Sequence, residues 1–283
     1  MTAATAIDSE IKNNALVLVA GATGGVGQLC VANLLTAGYR VRVLTRSAEK
    51  ATKMFAQKVD IAIGDIRKRE TLGEATADIT HLICATGTTA LPSNRWDFDI
   101  DLGSNPLEQV ANWAKVYLDE AFRKAHARNT PEAVDAVGVS NLVAAAPADL
   151  QRFVFVSSCG VTRTEQFPYT ILNAYGVLEA KSQGENSILR SGLPYTILRP
   201  GQLTDGPYTS RDFNSLVKAT TEGKLGVTIE TGDSINGQTS RIDVAAACVA
   251  ALESSAAINK AFEIISKGDR PTTIDWQSLF ASA

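Results

Sequence analysis

The 283-residue chain has only two histidines, His81 and His126, and four cysteines, Cys30, Cys84, Cys159 and Cys248, none of them paired at metal-ligand spacing. That supply leaves little material for a His-based zinc centre or a hydrolase triad, and no metal is expected. The cysteines are scattered and three lie inside apolar runs, where a thiol serves as a small hydrophobe, which points to a reducing compartment. Neither sign of charge is in excess: 27 Lys and Arg against 30 Asp and Glu leave a net charge of -3. Without the basic surplus that a phosphate backbone demands, nucleic acid is not expected as a partner. No apolar run reaches the roughly 18 residues needed to cross a bilayer, so no membrane span is expected. Asp8 and Glu10 argue against a signal peptide or an Arg-rich transit peptide at the amino end. A cytoplasmic protein is expected, or a plastid-stromal one if the source is a photosynthetic eukaryote.

What the chain has instead is alternation. Short β-branched runs recur at "ALVLVA", "YRVRVLT", "VDIAIG", "ITHLICAT", "RFVFVSS" and "PYTILRP", with helix-period segments between them. Near-continuous apolar strands separated by helices predict an α/β fold of Rossmann-like type, a doubly wound parallel sheet covered on both faces. We expect a flexible tail over residues 1–14 and a single domain over 15–283, with an insertion at 96–128 and a small C-terminal substrate lobe from 201–283. The insertion contains "SNPLEQVANWAKVYLDEAFRKAHAR", read as a helix capped by Asn105 and opened by Pro106, with surface pairs Lys115–Asp119 and Glu120–Lys124 at i,i+4. It is expected to dock on the body, with a partner surface or lid as the alternative. Further on, "RIDVAAACVAAL" is read as a helix with Asp243 as N-cap.

The strongest local signal is "LVLVAGATGGVGQLCVANLL". Gly21, Gly24 and Gly27 are spaced G-x-x-G-x-x-G between a strand and a helix, and Thr23, Gly25 and Val26 line the same turn. Such glycines allow a tight turn, a close approach of backbone to a diphosphate and a helix start whose free N–H groups face the anion. A dinucleotide is therefore expected. At the end of the second strand, where an NAD enzyme holds an acid, "VLTRSAEK" offers Arg46 instead, and a guanidinium favours the 2′-phosphate of NADPH. Asp65 and Ile66, after the third strand, are expected at the adenine. Ala85, Thr86 and Gly87, after the fourth, are small enough to let the cofactor pass.

Together with "GDIRKRETL", "FVFVSSCGVT", "SGLPYTILRPGQLTDGP" and "SRIDVAAACVAAL", this turn resembles the short-chain dehydrogenase/reductase superfamily, and within it the atypical, NmrA-like NAD(P)H-binding branch of plants, algae and cyanobacteria. The resemblance covers most of the chain outside the insertion. It implies a Rossmann fold with the dinucleotide in the crevice at the carboxyl ends of the strands, often in its phosphorylated form. The branch holds reductases of flavins, bilins and quinones as well as sensors and assembly factors. It also implies a cofactor contact from the turn at Pro200, Gly201 and Leu203, a serine position at Ser157 or Ser158, and a ribose contact from Lys181.

One departure bears on chemistry. The superfamily's Tyr-x-x-x-Lys couple would put a lysine at position 179, where Glu179 stands, and Lys181 follows Tyr175 by six residues. In a regular helix six steps leave the two about 120° apart. Tyr175, Ser157 and Lys181 remain the candidate catalytic residues, with Tyr169 as another possible proton donor. The preferred reading is an NADPH-dependent reductase of a small-molecule substrate with an extended conjugated system, of flavin, quinone or bilin type. The alternative is a non-catalytic NADPH-binding sensor or assembly factor that meets a protein partner through the 96–128 insertion.

Overall fold

A computed structural model describes residues 12, 14–100, 105–206, 221 and 223–283. Apart from Lys12 and Asn14, the tail expected at 1–14 lies outside them, as does the chain just beyond Gly206. Six parallel strands lie in the order β3-β2-β1-β4-β5-β6: β1 (Leu16–Ala20), β2 (Arg40–Thr45), β3 (Asp60–Ile63), β4 (His81–Cys84), β5 (Arg152–Val156) and β6 (Tyr195–Pro200). The short strands β7 (Gln202–Thr204) and β9 (Gln238–Ser240) pair with each other, while β10 (Lys260–Asp269) joins β6 in parallel and β8 (Leu225–Glu230) closes the edge antiparallel to β10. The C-terminal segment expected as a lobe thus lends two of its strands to the main sheet.

Among the described residues the α-helices are α1 (Gly25–Thr36), α2 (Ala48–Phe55), α3 (Gly73–Thr76), α4 (Pro106–Leu118), α5 (Glu120–His126), α6 (Val139–Ala145), α7 (Tyr169–Leu172), α8 (Val177–Leu189), α9 (Arg241–Glu253) and α10 (Trp276–Ser282). The period-2 alternation of β1 divides them into two layers. Val17 and Val19 face Cys30 and Leu34 of α1 and Cys248 of α9, whereas Leu16 and Leu18 face Leu142 of α6 and Ile188 of α8. Because β1, β4 and β5 are buried along their whole length, their sequences read as near-continuous apolar runs, interrupted only by His81 and Arg152 at the starts of β4 and β5. The N-cap expected at Asp243 is corrected to Ser240, whose hydroxyl accepts from the Ile242 N–H. Asp243 instead pairs with Arg270 at 2.8 Å. β9 runs straight into the helix and leaves Asp243 in its first turn.

The insertion docks, but not as one helix. Asp119 leaves helical geometry at φ -106 and ψ 103 and caps the Phe122 N–H at 3.0 Å. An Asp that can hydrogen-bond a nearby backbone N–H competes with helix continuation, so the chain breaks there and restarts as α5. The expected Lys115–Asp119 pair is thereby replaced by the cap, while Glu120–Lys124 forms at 2.6 Å on the exposed face. At the base of the insertion a short stem joins its two ends: Phe98 bridges Ala127, and the N–H groups of Arg128 and Asn129 both donate to the Trp96 carbonyl. Trp96 is only 2% exposed and anchors that stem.

Candidate functional site

The strand order reverses direction between β1 and β4, which opens a crevice beyond their carboxyl ends. The glycine turn stands at that point. Gly21 has φ +82, and a Cβ on it would lie 2.6 Å from the Ala85 carbonyl oxygen, so only glycine lets the two loops approach. A Cβ on Gly27 would sit 2.1 Å from the Gly21 oxygen, which presses α1 against the turn. Gly24 is the N-cap of α1 and supplies no capping side chain. The first N–H groups of that helix, at Gly25, Val26 and Gly27, are accordingly not capped from the N-cap side chain, and with Thr23 beside them they form an anion-compatible cradle.

Behind this turn two guanidiniums meet two carboxylates. Arg46 follows β2 and lies 4.0 Å from Asp97 at the start of the insertion, with both side chains more than half exposed. Arg67 grips Asp65 through Nε (3.0 Å) and Nη2 (2.6 Å), and its Nη1 donates to the Arg128 carbonyl at 2.7 Å. Burial alone raises the Asp65 carboxyl, but its hydrogen bonds from Arg67 and the nearby positive charges hold it below the ordinary value. The Ile66 side chain is buried against Gly138, where a Cβ would lie 2.7 Å from its Cδ1.

Lys181, on α8, is not the surface residue that pairing with Glu185 would make it. Its ammonium donates to Asp135 Oδ1 at 2.8 Å, with Lys181 11% and Asp135 0% exposed, while Glu185 is bound by Arg199 at 2.6 Å. Arg199 therefore anchors structure through Glu185. Asp135 also accepts from the Thr88 N–H at 3.2 Å through Oδ2. It sits in a π-helical stretch, Glu132–Gly138, that leads into α6, and such wide turns recur where a helix must aim a functional side chain. Gly184 of α8 allows this: a Cβ there would lie 2.4 Å from the Asp135 carbonyl. A Cβ on Gly87 would stand 3.3 Å from Asp135 Oδ1 and 3.4 Å from Lys181 Nζ, so the loop after β4 passes directly over the ion pair. Sequence reasoning missed Asp135. Its only signal is a single carboxylate within the apolar stretch "AVDAVGV".

Tyr175 lies outside the helix that carries Lys181, because Gly176 at φ 76 is the N-cap of α8 and Asn173 Oδ1 receives the N–H groups of Leu178 and Glu179. Its ring packs edge-on against Trp96 and Tyr117 and beneath Arg123, and its hydroxyl approaches the Tyr117 carbonyl at 3.5 Å. The insertion thus holds Tyr175 while Asp135 holds Lys181. Tyr169 is buried, bonded to Asn236 and Arg163, and burial pushes its hydroxyl above the ordinary value. Ser158 donates to the Cys159 carbonyl, but the Ser157 Oγ is buried and unpartnered at the end of β5, close to where Lys181 reaches toward the Val156 carbonyl. Burial, and then the charges of Glu263 and Asp233, push the Cys159 thiol up to about 12, so it is no thiolate. In the turn at Pro200, Gly201 and Leu203 the Gly201 N–H donates to Thr239 Oγ1 and the Ile264 carbonyl, and the Gln202 N–H to the Gly237 carbonyl, because β7 pairs with β9 there.

Glycines without room for a Cβ, an open helix start and an orphaned hydroxyl at the strand ends fit a dinucleotide. The fold and this crevice define a nucleotide-binding α/β protein of the short-chain dehydrogenase/reductase kind. The profile of an NAD(P)H-binding family matches residues 21–255, and the chain belongs to that family of atypical members of the superfamily. It is 31% identical over 280 residues to sanguinarine reductase of Eschscholzia californica, a match that covers 94% of each chain. It is 30% identical over 228 residues to "Protein TIC 62, chloroplastic" of Oryza sativa subsp. japonica, covering 79% of this chain and 42% of the relative. The chain thus spans about two fifths of the length of that relative and of its counterparts in Pisum sativum and Arabidopsis thaliana. The crystal structure of the oxidoreductase ylbE from Lactococcus lactis shares the fold, with a TM-score of 0.63 at 18% identity over 94% of this chain and 95% of that one. Among the described residues no helix is long and apolar enough to cross a membrane, and no three His, Cys, Asp or Glu side chains group as metal ligands.

Proposed function

We propose that this chain is an NADPH-dependent reductase of an extended conjugated acceptor, of flavin, quinone or bilin type. The observation that carries it is the buried Lys181–Asp135 pair beneath Gly87, with an unpartnered hydroxyl at Ser157, the residue after the Val156 whose carbonyl Lys181 approaches, and Tyr175 drawn away into the insertion. When bound, the dinucleotide supplies a hydride, and the protein orients it, excludes water and keeps a cation nearby. In this reading the turn from Gly21 to Gly27 takes the diphosphate through backbone N–H groups, with Thr23 beside it. Arg46 takes the 2′-phosphate. Asp65 and Ile66 border the adenine, and Ala85, Thr86 and Gly87 let the chain of the cofactor lie across the sheet. Lys181 holds the nicotinamide ribose, oriented by Asp135, and the turn from Pro200 to Leu203 walls the nicotinamide through side-chain and carbonyl contacts. An acceptor whose reduced form is a delocalised anion needs no Tyr-Lys proton relay, and a fixed ammonium beside it lowers its energy. The likeness to a relative named as a reductase supports this, and relatives named as chloroplastic make the plastid stroma the first place to look for the protein.

The experiment is a titration with both cofactors, followed by turnover on a panel of flavins, quinones and bilins. NADPH should bind tightly and be oxidised with at least one class. Arg46→Ala should weaken NADPH by about tenfold to a hundredfold and leave NADH unchanged, the range of a charge-assisted hydrogen bond. An NADPH affinity unchanged in Arg46→Ala would remove the role of Arg46.

A second reading, a non-catalytic NADPH-binding sensor or assembly factor, is favoured by one feature. Leu107, Val110 and Leu118 lie on one side of α4 and are 85%, 70% and 86% exposed. Tight NADPH binding without turnover across the panel, together with loss of a co-purifying protein in Leu107→Glu/Leu118→Glu, would favour it over the enzyme.

A further inference from the structure

The Arg46 that this reading assigns to the 2′-phosphate is not free in the protein: it faces Asp97 at 4.0 Å. Asp97 is delivered there by the stem of the insertion. It follows the turn Asn94–Trp96, takes the left-handed conformation at φ 55 and ψ 72, and its carbonyl receives the Arg128 N–H at 3.0 Å. The buried Trp96 beside it holds the turn in place. From the other end of the stem the Arg128 carbonyl receives Arg67, which also holds Asp65. Two positive and two negative side chains, Arg46, Arg67, Asp65 and Asp97, therefore cluster behind the glycine turn. Asp65 is occupied by Arg67, which leaves Asp97 as the carboxylate facing Arg46.

We propose that Asp97 is a specificity-determining residue: it is the resident counter-ion of Arg46, competes with the cofactor's 2′-phosphate for that guanidinium, and so limits how strongly the chain prefers NADPH over NADH. The argument is electrostatic. A phosphate brought to Arg46 meets the Asp97 carboxylate as a like charge a few ångströms away, whereas the 2′-hydroxyl of NADH brings no such charge. Both side chains are more than half exposed, so solvent and salt screen the effect and it is modest. The inference rests on the assignment of Arg46 to the phosphate, and its test keeps the two apart.

Dissociation constants for NADPH and NADH, measured calorimetrically at low salt, are compared in the parent, Asp97→Asn, Asp99→Asn, Arg46→Ala and the Arg46→Ala/Asp97→Asn double variant. Asparagine tolerates the left-handed conformation as aspartate does, so the first change removes charge and little else. Asp97→Asn should tighten NADPH by about two- to fivefold and leave NADH unchanged, the size of an exposed ion pair. Added salt should shrink that gain. In the Arg46→Ala background the share of the gain that comes from competition for the guanidinium should be lost, leaving only the direct like-charge repulsion, so the gain should shrink. Asp99→Asn, on the same stem but paired with His126 and Arg128, should leave the ratio as it is. If Arg46→Ala lowers the preference while Asp97→Asn leaves it unaltered, or shifts both cofactors alike, Asp97 has no such role and the phosphate assignment stands. If Arg46→Ala itself leaves the preference unaltered, the phosphate assignment fails and the proposal with it.

Discussion

Replacing Lys181 by methionine should cost about 3–5 kcal/mol of stability, because it strands the Asp135 carboxylate in a site with no solvent exposure and one remaining hydrogen bond, from Thr88. Breaking a buried pair from one side is worse than removing it, since the surviving charge keeps its desolvation and loses its compensation. The double variant Lys181→Met/Asp135→Asn should therefore regain most of the loss, a coupling that a double-mutant cycle in urea measures directly. Lys181→Met within about 0.5 kcal/mol of the parent would mean that the pair is open to water and adds nothing. A loss of turnover in the double variant with its stability restored would separate the chemical role of Lys181 from its structural one.

Acid should destabilise the protein in two separate stages, and the first belongs to His81. At the start of β4 this imidazole is 7% exposed and lies edge-on to Tyr39, with Thr80 Oγ1 at 2.8 Å. Burial, then the charge of Arg152, lowers it from 6.5 to about 4, against a smaller opposing pull from Glu253. The unfolded chain thus takes up a proton near the ordinary value and the folded one resists until about 4. Between those limits the unfolded state binds more protons, so stability is full above the ordinary value and is lost as pH falls toward 4. A displacement from 6.5 to about 4 corresponds to about 3 kcal/mol.

The second stage lies lower. Burial alone raises the Asp233 carboxyl, but the N–H groups of Gly160 and Thr162, the Thr162 hydroxyl and Arg163 outweigh it and hold it below the ordinary range. Asp65 is depressed through Arg67 in the same sense. A lowered carboxyl stabilises above its unfolded value and loses that contribution as pH falls through its folded value, so these groups act beneath the His81 window. Urea midpoints followed from neutral pH downward should show both limbs in the parent, and His81→Gln should abolish the upper one alone. An upper limb that survives the substitution would assign it to another group.

The fold was legible because its cues are local and repeated. Continuous apolar runs separated by helix-period segments leave few alternatives to a parallel sheet, and Gly21, Gly24 and Gly27 mark the strand-to-helix turn without reference to distant residues. The boundaries within the insertion were less so. Asn105 and Pro106 marked the start of α4 correctly, yet the break at Asp119 depended on whether its carboxylate would pair along the helix or cap the next one. Lys115–Asp119 spacing and an Asp cap are both locally acceptable, and the stem formed by Phe98 with Ala127 favours the second.

At the site, residue identity carried the guanidinium after β2 and the departure from Tyr-x-x-x-Lys at Tyr175, Glu179 and Lys181, since both are read off a short stretch of sequence, whereas the start of the helix at Gly176, which leaves Tyr175 outside it, was not foreseen. The partner of each charge was hidden. Lys181 had Glu185 four residues away as an obvious mate, but Glu185 is held by Arg199, fourteen residues further along, and Lys181 by Asp135, forty-six residues before it. Arg46 faces an aspartate from the insertion. Such pairings depend on which strand ends the sheet brings to one edge and how closely Gly87 and Gly184 let loops and helices approach, distances that no sequence period encodes. Periodicity settles what is buried, because burial follows from repeated apolar contact. Which buried charge meets which is a matter of three-dimensional reach.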